Sequence, residues 1–249
     1  MRFKLISCEI FYRECAYLVA QSPHQVDMEF LPSSLHNKKE SEMRQKITER
    51  IRACEEMKEM DKKVPYDAIL LGYALCNRAI IGLKTQSTTM VVPRADNCVE
   101  IFFGNSQKYS EYFHTHPGTY YKTTGWIERG ENVRQFFSAP VTHQNLLREN
   151  YECHKENSEE KCSENGSYFV QDEIFSDKKE KNNRHYTQLT FIKMGLGAEQ
   201  IFENFSRDEA KNNGWYYDCV SGNLSLLRDL INGNWDDERF LIVPPEDEI

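Results

Sequence analysis

Residues 3–31 read FKLISCEIFYRECAYLVAQSPHQVDMEFL. Phe3–Ile10 is a short apolar run of strand length, and Tyr12–Gln21 carries helical character. Val26–Leu31 is a second strand-like run, stopped at Pro32. A strand, a helix and a second strand in this order predict the βαβ unit of a parallel sheet. The grammar continues outward. Lys38–Lys62 is rich in Glu, Lys, Met and Ala, with Met43, Ile47, Ile51 and Cys54 at helical spacing. Asp67–Leu75 (DAILLGYAL) is a third apolar run and Thr88–Val92 a fourth, ended by Pro93. The last third repeats the pattern, with strands over Leu189–Met194 and Trp215–Val220 and helices over Ala198–Asn212 and Leu224–Asn232. Phe240–Val243 is a final strand before Pro244 and Pro245.

Between these thirds, FFGNSQKYSEYFHTHPGTYYKTTGWIERGEN (102–132) is aromatic and punctuated by glycine, which predicts short helices and tight loops rather than regular sheet. Residues 150–185 are the most hydrophilic, and predict exposed helices with a mobile loop near Ser176–Asn183. The expected fold class is α/β: a mostly parallel sheet flanked by helices, built as two related βα lobes in one compact unit spanning 1–249. A lobe boundary is expected near 140–185. Right-handed crossovers would bring the strand ends to one common edge.

The chain has 249 residues, with 39 acidic side chains against 31 Lys and Arg and a formal charge of −8. That acidity argues against a nucleic-acid partner, which calls for a basic stripe. KEMDKK and DKKEKNNR mix acids with lysines and read as solvated surface. No apolar run approaches the roughly 20 residues that cross a bilayer, and MRFKLISCEI shows no signal-peptide pattern. The expectation is a cytoplasmic protein without a membrane partner, whose eight cysteines are core residues, metal ligands or reactive thiols rather than disulfides.

Three of those cysteines hold equivalent places. Cys8 lies toward the end of the first strand, Cys76 just after the third and Cys98 shortly after the fourth. Ligands of open parallel sheets bind outside the carboxyl ends of the strands, so three thiols there are the pattern of a sheet-edge metal site. Arg78 and Arg94 stand near two of them, and cationic neighbours favour the thiolate. Three soft ligands suit a zinc with an open position or a 4Fe–4S cluster with one open iron. Asp96 or Glu9 could alternatively complete a zinc shell. Buried packing at apolar strand ends is the competing explanation for the same cysteines.

The remaining features are weaker. Cys153 and Cys162 flank His154 in a hydrophilic stretch and read as surface thiols; Cys15 and Cys54 sit at helical core positions. Cys219 ends the run WYYDC and could face core or site, while His114 and His116 read as surface histidines. Gly195-Leu196-Gly197-Ala198 joins a strand to a helix, but lacks the rest of a phosphate-loop motif and reads as a tight turn. Ser221-Gly222-Asn223 precedes a helix and reads as its cap. No GxSxG, HExxH, EF-hand or kinase signature occurs.

An ordered set of motifs carries a family resemblance: Cys8-Glu9, GYALCN (72–77), PRADNC (93–98) followed by FFG, PGTYY with TGWIE, SENGSYF, IKMGLG, and SGNLSLLRDLINGNWDDERFLIVPP (221–245). Together they resemble the family called domain of unknown function 1638, over essentially the whole chain. The resemblance implies an anaerobic archaeal or bacterial setting and an association with corrinoid-dependent methyl transfer from methylamines and related compounds. It also implies shared cysteines at Cys8, Cys76 and Cys98. The chain departs from the pattern at Asp96-Asn97, where His-Asp is common, and at Glu246, where glycine is usual.

The leading expectation is a metal–thiolate protein of anaerobic methyl or sulfur metabolism, acting on a small thiol or on a sulfur- or methyl-bearing substrate. As an enzyme it would be a metal-dependent methyltransferase or a sulfur-transfer or desulfurase enzyme. Cys8, Cys76 and Cys98 would bind zinc or a 4Fe–4S cluster, Arg78 and Arg94 would hold an anionic substrate group, and Glu9 or Asp96 would move protons. The alternative is a non-enzymatic accessory of a corrinoid protein or methyltransferase, docking through Phe102, Phe103, Tyr112, Phe113, Tyr120, Tyr121 and Trp126. A metal-free enzyme that uses the sheet-edge crevice is a third option.

Overall fold

Phe3 to Cys8 are buried without interruption, so β1 (Arg2–Cys8) is covered on both faces, as a central parallel strand must be. The computed structural model describes residues 1–60, 64–75, 78–129 and 186–249, without the side chains of 57–60. On one side β1 pairs in parallel with β2 (Gln25–Leu31), on the other with β3 (Ala68–Gly72). β3 pairs in parallel with β4 (Thr89–Pro93), and β8 (Phe240–Val243) closes the order β2-β1-β3-β4-β8 by running antiparallel to β4.

The connections follow from this order. After β1 the chain crosses through α1 (Tyr12–Val19) to β2, then returns over β1 through α2 (Glu40–Met60) to β3. Two right-handed crossovers in opposite directions put their helices on opposite faces. On α2, Met43, Ile47, Ile51 and Cys54 are all buried, so the apolar stripe read from the sequence is the face that packs toward β1. On the other face α1 packs against α7 (Ser225–Ile231), which also touches β3 and β4.

A second, wholly parallel sheet has the order β5-β6-β7, with β5 at Thr119–Lys122, β6 at Gln188–Lys193 and β7 at Tyr216–Ser221. Helix α6 (Glu199–Asn213) packs on β6 and β7. Side chains of a strand alternate between faces. Phe191 of β6 accordingly joins Ile127 and Phe202 in a small core under α6, while Ile192 joins the main core of the first sheet.

Three short helices, α3 (Cys98–Phe103), α4 (Ser106–Thr115) and α5 (Thr124–Arg129), link the sheets. The Asn223 amide after β7 donates to the Phe102 carbonyl at 2.8 Å. Gly104, at φ +64°, ends α3 directly against Asn223, where any Cβ would crowd the Asn223 carbonyl. Gly125 lets α5 rest on the 3-10 turn Glu9–Phe11 that follows β1.

The α/β architecture and the parallel pairing are as expected from the sequence. One reading needs correction, because the aromatic middle does contain regular sheet in β5. Four residues are too few to show alternation against an aromatic background, although their burial alternates along the strand. The region 140–185, with its expected lobe boundary and the loop at Ser176–Asn183, lies outside the described residues. β5 precedes that region and already belongs to the second sheet.

A Cβ at Gly125 would overlap the backbone carbonyl of Ile10, which cannot swing away as a side chain can. Gly125→Ala is expected to cost about 3 kcal/mol in denaturant unfolding, at the upper end of overpacking penalties.

Candidate functional site

The strand order reverses between β1 and β3, since the chain leaves β1 toward β2 and returns beyond β1 to β3. Loops that leave two such strands diverge, opening a crevice at their carboxyl ends. Cys8 is the last residue of β1 and is 2% exposed. Beside it the Ser7 hydroxyl lies 3.2 Å from the Gly72 carbonyl at the end of β3 and 3.2 Å from the Cys8 carbonyl. Only glycine fits at 72, because a Cβ there would overlap the Ser7 side chain.

Tyr73, which follows Gly72 at the end of β3, is buried in the main core. Burial pushes its phenol well above the ordinary range, and the neighbouring Cys8 and Glu9 act in the same direction, so Tyr73 stays a neutral proton donor. His36, from the 3-10 helix Ser33–Asn37 after β2, has its ring centroid 6.3 Å from that of Tyr73. Desolvation lowers its pKa to about 4, which leaves a neutral imidazole at physiological pH. Glu9 Oε1 accepts the Ser33 amide at 2.7 Å and the Ser33 hydroxyl at 3.0 Å. The expected proton carrier therefore also anchors the β2 exit to the β1 exit.

The β4 exit lies alongside. The Leu75 amide donates to the Ala95 carbonyl at 2.9 Å, tying the chain after β3 to the chain after β4. Asn97 caps α3 by accepting the Glu100 amide at 3.1 Å, and Glu100 reaches back to the Asp96 amide at 2.8 Å. Asn97 Nδ2 also donates to the Tyr109 hydroxyl at 2.9 Å. Cys98, the first residue of α3, is 3% exposed. Burial raises the Tyr109 pKa, with Cys98, Glu100 and Asp96 adding to the effect. The departure from the family pattern at 96–97 thus falls on an exposed residue and on a helix cap, a position that Asp and Asn fill about equally well.

The predicted site residues divide accordingly. Cys8, Glu9, Asp96 and Cys98 share the carboxyl edge of the first sheet, whereas Cys76 lies outside the described residues. Arg94 is exposed, and its Nε bonds the carbonyls of Asp237 at 3.0 Å and Phe240 at 3.1 Å, fastening the start of β8. Arg78 is exposed at a left-handed φ of 58°, costly for a residue with a Cβ, and its carbonyl receives Arg44 Nη2 at 3.3 Å. Among the described residues, no three or more His, Cys, Asp or Glu side chains form a group that could hold a metal.

Other candidates resolve locally. Cys15 and Cys54 are buried in the core, and burial pushes the Cys54 thiol up to about 11. Cys219 is half-buried beside Tyr217 and the small core under α6. His116 stacks on Tyr112 at 4.2 Å, and His114 is exposed. Cys153 and Cys162 lie outside the described residues. At the Gly195–Gly197 turn, the Glu199 carboxylate accepts the amides of Met194 at 2.7 Å and Gly195 at 2.6 Å, so these donors already hold an anion of the chain itself. The expected cap at 221–223 is not the observed one: Leu224 holds the cap position of α7 without a side-chain bond, and Asn223 Oδ1 accepts the Ser225 amide at 2.8 Å just before it. Phe102, Phe103, Tyr121 and Trp126 are buried, and Tyr112, Phe113 and Tyr120 are half-buried, so these rings chiefly build core.

Sequence reading missed the roles of Tyr73 and His36. Tyr73 follows the one glycine of the β3 run, which was the available signal; nothing in the stretch around His36 marked it.

Fold and edge together define an α/β protein with two buried thiols, Cys8 and Cys98, at the carboxyl edge of a sheet whose strand order reverses. The chain belongs to the family described as Protein of unknown function (DUF1638), whose model matches residues 30–231. Cys76 and Cys98 lie within that span, and Cys8 and Glu9 precede it. No curated protein and no solved structure matches the chain. Among the described residues no helix is long and apolar enough to cross a membrane.

Two outcomes follow from this geometry. Asn97→Ala is expected to cost about 1 kcal/mol in denaturant unfolding, whereas Asn97→Asp stays within about 0.5 kcal/mol of the parent. In an NMR pH titration, His36 should remain neutral at pH 5.5 and titrate near pH 4. Because its folded pKa lies below the unfolded value, the stability this group contributes is lost as pH falls from 6.5 toward 4.

Proposed function

We propose that the chain is a metal–thiolate protein of a reducing compartment, with Cys8 and Cys98 as ligands and Cys76, which follows β3 in the sequence, as the third. The substrate would be a small thiol, or a sulfur- or methyl-bearing molecule. The observation that supports this reading is that Cys8 ends β1 and Cys98 follows β4, so both nearly sealed thiols stand at the carboxyl edge of the sheet whose strand order reverses.

Local electrostatics disfavour an isolated charge of either sign, so thiolates there call for a metal to neutralise them. The burial that holds Tyr73 and His36 neutral would oppose a bare thiolate at Cys8, because an uncompensated charge is costly in a desolvated place. A soft metal ion removes that conflict, since thiolates are its preferred ligands. Bound zinc or a cluster would supply a Lewis-acidic position for a substrate sulfur. The chain's own residues have distinct duties around it. Tyr73 offers a neutral hydroxyl proton to the crevice, Glu9 and Asp96 carry protons at its edge, and the exposed Arg78 and Arg94 meet anionic groups at the rim. Methyl transfer to a thiol and sulfur transfer both fit this division.

Protein purified without oxygen should contain about one zinc or about four irons per chain. Cys8→Ser, Cys76→Ser and Cys98→Ser should each lower that content at least tenfold, while Cys54→Ser retains it. Metal analysis beside an absorption spectrum reads both quantities. Substoichiometric metal in the parent, or full retention in Cys98→Ser, defeats the proposal.

A further inference from the structure

A separate cluster of charge lies where the two sheets meet. Arg13 of α1 reaches toward the second sheet, and its Nε and Nη2 bond Glu128 of α5 at 2.6 and 3.0 Å. Its guanidinium stands 5.7 Å from the Phe202 ring centre, and a Cβ added at Gly197 would lie 2.8 Å from Nη1. The β6–α6 turn thus closes directly over Arg13, with Glu199 holding its first amides. Glu14, the next residue of α1, is 1% exposed, and its Oε2 is buried without a hydrogen-bond partner. Three carboxyl groups, Glu14, Glu128 and Glu199, therefore share this joint with Arg13, and Arg13 is bonded to Glu128.

We infer that Glu14 is the proton-operated element of the joint between α1 and the β6–α6 turn: protonated, it lets the turn close over Arg13, and ionised, it loosens that closure. The groups acting on it are Arg13 of its own helix, Glu128 of α5 and Glu199 of α6, and the Cys15 thiol feels it in turn. Charged residues on the other elements packed against α1 have partners of their own. Glu9 is held by Ser33, Asp27 and Glu29 of β2 by Arg2 and Lys4, and Asp229 of α7 by Arg239, while Arg228 is the remaining charge on α7. Near the turn, Lys193 bonds Glu203 at 3.1 Å.

Burial, with repulsion from Glu199 and Glu128 added, raises the Glu14 pKa from 4.5 to about 7. Between those values the folded chain binds more protons than the unfolded chain, so stability falls as pH rises through the window and the loss is complete above it. The device rests on the α1–α6 geometry and is independent of any metal.

The experiment is denaturant unfolding of the full chain between pH 5 and pH 8.5, for the parent and for Glu14→Gln. Relative to the variant, the parent's unfolding constant should rise by on the order of 70-fold between pH 5 and pH 8.5, since the shift converts at tenfold per unit and its lowest part falls below pH 5. Hydrogen exchange of the Met194 and Gly195 amides, corrected for intrinsic rate, should lose protection over the same window in the parent and stay level in Glu14→Gln. If Glu14→Gln does not fold, Glu199→Gln is read instead and should move the parent's stability loss to lower pH. Parallel pH profiles for the parent and the variant read, or amide protection independent of pH, overturn the inference.

Discussion

Pairing β1 in parallel on both sides is the constraint on which the molecule depends. A strand bonded to β2 and β3 and covered on both faces has nowhere to expose polar groups except its ends. At the amino end the Arg2 guanidinium meets Asp27 and Tyr66. At the carboxyl end the chain turns at once into the 3-10 segment Glu9–Phe11. That turn keeps Cys8 at the sheet edge and presents the Ile10 carbonyl to Gly125, so the fold of the first sheet dictates where α5, and with it the second sheet, can dock.

The docking is polar as well as apolar. The main core runs from β1 through Phe11, Phe102 and Trp126 to Ile192, with Phe11 and Phe102 centred 4.6 Å apart and Phe102 and Trp126 5.2 Å apart. Rings in that spacing supply area and fixed geometry together. Around them lie the Arg13–Glu128 pair and the amides held by Glu199. Breaking a part-buried pair strands a charge, so such contacts fix alignment more than they add stability.

The legible part of this structure is the part with a period. Met43, Ile47, Ile51 and Cys54 announced both α2 and its buried face, and Phe240–Val243, bracketed by charged residues and two prolines, is the observed β8 to the residue. Strand ends were readable too, which is why Cys8 and Cys98 could be placed on one edge. What stayed hidden depends on neighbours distant in sequence. Glu14 looked like an ordinary polar position in YRECA, yet it is buried and feels the charges of Glu128 on α5 and Glu199 on α6. Arg94 looked like a thiol's neighbour, yet its Nε serves carbonyls more than 140 residues away. β5 escaped because four residues cannot carry a period of two.

One physical condition links the crevice and the joint. Tyr73, His36 and Glu14 are all shifted toward their neutral forms, and desolvation is the largest cause in each case. The region around the end of β1 and the start of α1 is therefore hostile to isolated charge of either sign. On the function proposed above, a substrate would meet this region with its uncharged or soft end and leave an anionic group to the exposed Arg78 and Arg94. Molecules with a sulfur or methyl terminus and a charged tail have that polarity. The same condition accounts for acids in the interior of an acidic protein: Glu14 is tolerable there because it can keep its proton, and Glu199 because backbone amides surround it.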